Sequence, residues 1–156
     1  MKTIKLLRPY KLFFVAAACV TLFFTSCSSS DTVAIKQAQL SGSNEVPPVT
    51  TKGSGTVEGN YNTKTKVLTL NLKWSLGNSG DTTLMGHIHK GAVGVSGPVV
   101  IPLKGLPSGA TDQQFTFTSD PLTAEQESDL KAGDYYVNIH SNSNPGGELR
   151  AQLVLQ

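Results

Sequence analysis

In the run Leu68-Thr69-Leu70-Asn71-Leu72-Lys73-Trp74, apolar and polar residues alternate without a break. Side chains of a strand point to opposite faces in turn, so Leu68, Leu70, Leu72 and Trp74 form one buried face while Thr69, Asn71 and Lys73 meet water. A helical period does not fit this spacing. The run predicts a half-buried antiparallel strand, with Trp74 as a core aromatic at the end of the leucine stripe. Residues 62–65 (Asn-Thr-Lys-Thr) suit a hairpin turn back to a strand over 55–61. Shorter strand-like runs cover 35–40, 85–90, 98–103, 113–118, 136–140 and 147–155. The 15 glycines and 8 prolines are scattered singly, which fits many turns rather than disorder. Only residues 123–133 read as helix, because Thr123-Ala124-Glu125-Gln126 is a capping-box pattern and Lys131 and Gly133 supply a matching end. These elements predict an all-β fold: a single antiparallel Greek-key β-sandwich with one short helix near 123–132.

The N-terminus reads as an export signal. Lys2, Lys5, Arg8 and Lys11 precede an apolar run over 12–24 that is short for a membrane span and right for a signal core. Phe24-Thr25-Ser26-Cys27 resembles a bacterial lipobox, in which cleavage before the cysteine is coupled to its acylation. The expected organisation is a lipoprotein signal over 1–26, a polar tether over 27–33 that begins Cys27-Ser28-Ser29-Ser30-Asp31, and one folded domain over 34–156. Lipid on Cys27 would anchor the domain in a bacterial cell envelope, on its periplasmic or cell-surface side, without any spanning helix. The whole chain carries 13 basic and 11 acidic residues, but the four basic residues named leave with the signal. The remaining excess of acid, with no Lys/Arg cluster, excludes a nucleic-acid partner. Of the two cysteines, Cys19 also leaves with the signal, so the folded domain has no disulfide and relies on its core.

All three histidines fall in two of the strand-like runs. His87 and His89 share a face in Gly86-His87-Ile88-His89, and Tyr136, Asn138 and His140 share a face in the later run. If those strands meet, three imidazoles converge on one point, an arrangement that suits one zinc or copper ion. Glu148 or Glu45 is a candidate fourth ligand. The loop Asn142-Ser143-Asn144-Pro145-Gly146-Gly147 predicts a hairpin that makes the His140 strand the neighbour of Glu148-Leu149-Arg150. Glu45 and Arg150 are then placed for an ion pair between terminal segments, and Pro47 and Pro48 stiffen a strand end. Alternation also predicts that one of Tyr135 and Tyr136 is exposed. No Gly-x-Ser-x-Gly elbow, thiol nucleophile, phosphate-binding glycine loop or paired carboxylates point to catalysis.

Five blocks in order resemble the CHRD domain, a module named after repeats in chordin and widespread in exported bacterial proteins. They are Leu40-Ser41-Gly42-Ser43-Asn44-Glu45-Val46-Pro47-Pro48-Val49, Gly86-His87-Ile88-His89-Lys90-Gly91, Gly97-Pro98-Val99-Val100, residues 130–140, and residues 144–153. The resemblance implies a β-sandwich-like fold and no particular activity. A fainter likeness to copper/zinc superoxide dismutases rests on the order His87, His89, His140, Arg150, and implies a copper-type site with Arg150 guiding an anion. The expected function is a lipid-anchored binding module with a mononuclear zinc or copper site and a possible protein partner in the envelope. The alternatives are a copper redox protein acting on a small anion such as superoxide, and a purely structural or adhesive domain.

Overall fold

The computed structural model describes residues 31–156. The signal segment and Cys27 lie outside the described residues. Eight strands pair antiparallel throughout. They are β1 (Thr32–Ser41), β2 (Ser54–Asn62), β3 (Val67–Ser75), β4 (Thr83–Lys90), β5 (Val99–Pro102), β6 (Asp112–Thr118), β7 (Tyr135–Ser141) and β8 (Leu149–Leu153). Among the described residues one α-helix, α1 (Ala124–Ala132), precedes β7, and a 3-10 turn (Gly42–Asn44) follows β1. The strands make one continuous sheet in the order β5-β4-β7-β8-β1-β2-β3-β6.

The sheet curls until its two halves share an interior. Leu68, Leu70, Leu72 and Trp74 of β3 belong to the same buried cluster as Ile88 of β4, Val137 and Ile139 of β7, and Leu149 and Leu153 of β8. Trp74 spans the gap directly, its Nε1 donating to Thr83 Oγ1 of β4 at 2.9 Å. The expected all-β architecture is therefore observed, with its two layers formed by the halves of one curled sheet. Burying the leucine face of β3 removes apolar surface from water at roughly 25 cal/mol per Å², and that burial stabilises the curl.

Local chemistry sets the connections. Asn62 Oδ1 accepts from the backbone N–H groups of Lys64 and Thr65, which closes the β2–β3 hairpin where the sequence places a turn. At α1, Thr123 Oγ1 accepts from Gln126 N while Gln126 Oε1 accepts from Thr123 N. Gly133 ends the helix in the left-handed region, φ 75°. Glu127 ties the helix to the sheet through Lys66 at 2.8 Å, and Lys131 and Lys66 hold its carboxyl down to about 2.

The expectation that Tyr135 or Tyr136 is exposed is corrected. Both are buried, as is every residue of β7. Tyr135 faces the interior; Tyr136 is on the outer face, where alternation puts it, but chain from residues 91–97 and 42–48 roofs that face over. Sequence period reports which face a residue takes. It does not report whether loops from elsewhere cover that face.

Candidate metal centre

The pairing of β4 with β7 builds the centre. Its register sets Met85 opposite His140, His87 opposite Asn138, and His89 opposite Tyr136. Gly86 and Ile88 of β4 face the interior, where a side-chain carbon at Gly86 would meet Ile139, Leu103 and Leu106 at 3.1–3.2 Å. That packing leaves His87 and His89 on the outer face, beside His140. One nitrogen from each ring lies within 4.8 Å of the other two. His87 Nδ1 and His140 Nε2 are 3.1 Å apart.

Two backbone carbonyls fix the rings. His89 Nδ1 is 2.9 Å from Gly97 O, and His140 Nδ1 is 2.9 Å from Pro145 O. A carbonyl oxygen only accepts, so in both rings Nδ1 carries the proton and Nε2 presents a lone pair. His140 Nε2 accepts from His87 Nδ1. His89 Nε2 is buried and has no hydrogen-bond partner. A buried lone pair without a donor is costly, and here it lies within the three-ring group. Burial lowers the pKa of all three histidines, helped at His87 by His140 and His89, at His89 by Arg150, and at His140 by His89. They are neutral at pH 7, the form that binds a metal.

A family model of the CHRD domain matches residues 36–153, from within β1 to the last residue of β8. The chain belongs to the CHRD domain family. No curated protein and no solved structure matches it. All three histidines fall inside the matched span, so the centre is part of the CHRD domain.

The roof of this CHRD domain is what locks His89 in place. The Tyr136 ring stacks on His89, 4.9 Å between centroids and 9° between planes. Arg150 covers the other side of Tyr136, with its Cζ 3.4 Å from the ring centroid. The Arg150 guanidinium donates to Ala92 O and Val95 O, and Tyr136 Oη accepts from Gly97 N at 3.2 Å. Residues 91–97 are thereby pinned over the site, and Gly97 O is aimed at His89. Arg150 is 2 % exposed and acts as a clamp on the loop, while its charge also lowers the pKa of Glu45, the acid it was expected to pair with. The loop that offers Pro145 O is anchored in a similar way, since Asp81 accepts from Ser143 N with both carboxyl oxygens at 3.2 Å.

The structure brings His87, His89 and His140 together and places the expected acids elsewhere. Glu148 is buried, and its Oε1 accepts from Thr51 Oγ1 at 2.6 Å and Gly77 N at 2.8 Å. Glu45 accepts from Asn138 Nδ2 at 2.7 and 2.9 Å. Among the described residues the metal-competent group is three histidines with no carboxylate. Sequence reading missed Tyr136, Gly97 and Pro145. Tyr136 had a signal, because it shares the His140 face two steps away twice over. The carbonyls of Gly97 and Pro145 had none, because any residue carries one.

Glu45 gives the fold a pH dependence of known sign. Burial pushes its carboxyl up to about 7, against the lowering by Arg150 and by the Asn138 bond. Between the ordinary value of 4.5 and about 7, the folded protein binds the proton that the unfolded chain has lost, so Glu45 lowers stability as pH rises. The histidines pull the other way: their folded values are depressed, so their contribution to stability grows as pH rises toward the ordinary histidine value. Comparison with Glu45→Gln isolates the acid. In urea unfolding of metal-free protein from roughly pH 5 to roughly pH 8, Glu45→Gln should gain stability relative to wild type as pH rises. A difference that stays constant over that range contradicts the assignment.

Proposed function

We propose that the protein is a lipid-anchored envelope protein whose CHRD domain binds one transition-metal ion through His87, His89 and His140. The observation that carries this reading is the convergence of three neutral imidazoles, with two Nδ1 groups tied to carbonyls and the His89 Nε2 lone pair buried without a donor. Carbonyl-held Nδ1 groups are the usual outer support of metal-ligating histidines, since they orient the ring and raise the basicity of Nε2. Imidazole donors suit zinc and copper. With three protein ligands, a fourth position stays open. The anchoring half of the reading is supported by the lipobox-like Phe24-Thr25-Ser26-Cys27 and the polar residues after it.

Untagged, metal-free domain titrated with zinc(II) or copper(II) should saturate at one ion per chain. Protein that takes up neither ion from a micromolar solution ends the metal reading. In cells, metabolic labelling with a palmitate analogue should mark the wild-type protein and not Cys27→Ser, and wild type that takes up no label ends the lipid-anchor reading.

A further inference from the structure

We propose that Met85 supplies a thioether as the fourth ligand of the histidine centre, and that the centre is built for copper(I). The inference rests on the metal reading above and adds to it the identity of the fourth donor and of the ion.

The backbone of β4 places this residue. Thr83 pairs with Ser141 and Met85 with His140, so β4 spends two steps against one of β7, a bulge. Thr83 faces the interior, where its hydroxyl accepts from Trp74. Residues two apart in a regular strand share a face, so without the bulge Met85 would point inward too. The bulge reverses the parity and sets Met85 in step with His87 and His89. Directly opposed residues of an antiparallel pair share a face, with Cβ atoms about 4.5–5.5 Å apart, and the residue opposed to Met85 is His140. Met85 is 47 % exposed, so the core does not account for it. Its unbranched side chain has three rotatable bonds with which to bring sulfur over the rings.

The donor set then selects the ion. Glu148 and Glu45 are engaged by Thr51, Gly77 and Asn138, so no carboxylate joins the group. Hard and borderline ions lose an oxygen donor by this arrangement, whereas imidazole with a thioether is a soft set that favours copper(I). The mature domain has no cysteine to compete for the ion, because its only candidate, Cys27, carries the lipid in the reading above.

The test compares wild type with Met85→Leu, a swap of similar volume at an exposed position. Metal-free domain competes with a chromogenic chelator, for copper(I) under reducing anaerobic conditions and for zinc(II) in a parallel series. Copper(I) affinity should fall at least about tenfold in Met85→Leu while zinc(II) affinity stays within about twofold. Unchanged copper(I) affinity overturns the role of Met85 and leaves the histidine centre standing. An equal fall for both ions also overturns it, since that is the signature of a structural effect. Wild type that binds neither ion overturns both the fourth ligand and the centre itself.

Discussion

His140→Asn should cost the domain about two orders of magnitude in metal affinity while leaving it folded. A four-ligand structural zinc site is worth roughly 10–16 kcal/mol, so one ligand carries about 3 kcal/mol, or about a hundredfold. Asparagine is chosen because its side-chain amide takes the place of Nδ1 and keeps a donor for Pro145 O, which His140 meets at 2.9 Å. What it removes is Nε2, the nitrogen 3.1 Å from His87. His140→Ala removes both, and the lost bond to Pro145 O together with the space left by the ring adds a stability loss of about 1–3 kcal/mol. The two variants together separate the ligand from the buttress. Calorimetric titration reads the affinity and urea unfolding of the metal-free protein reads the stability. His140→Asn that binds zinc as tightly as wild type contradicts the assignment of Nε2 as a ligand.

Gly97→Ala should damage both stability and metal affinity although residue 97 supplies no metal-binding side chain. A Cβ at this position would run into Lys90 O and stand 2.7 Å from Lys90 C, both backbone atoms that cannot rotate away. The chain must part there, and this is the stretch where Lys90 N donates to Pro98 O and Gly97 O holds His89. We expect a loss of roughly 2–4 kcal/mol and a fall in metal affinity of about 10–100-fold. Gly146→Ala is the control in the other loop, because an added carbon there meets nothing within 4 Å and its backbone is not in the left-handed region. It should be close to neutral. Equal behaviour of the two variants contradicts the role given to residues 91–97.

Most of the fold was legible because its signals are local. The alternation through Leu68, Leu70, Leu72 and Trp74 fixed which face of β3 is buried, and the Asn62 turn and the Thr123–Gln126 capping box appear where their side-chain chemistry requires them. The convergence of the histidines was legible as well, since two strands of known parity leave few ways to meet. The roof was not. Nothing within Tyr135–Ser141 announces that Arg150 will reach over Tyr136 to hold the carbonyls of Ala92 and Val95, because that contact joins residues more than fifty positions apart. Glu148 was expected near the histidines because the strand it leads into pairs with β7, yet its side chain answers to Thr51 and Gly77, on two loops that strand periodicity does not place. The bulge before Met85 was equally silent, since one added residue changes no composition and reverses every face beyond it.

The X-ray absorption spectrum of the loaded domain tests the central claim most directly. The account predicts a single ion per chain with three imidazole nitrogens at about 2.0–2.1 Å, reduced to two in His140→Asn. A shell of oxygen atoms alone, or one unchanged by that substitution, would show that the three rings gather on the sheet for packing and not to hold a metal.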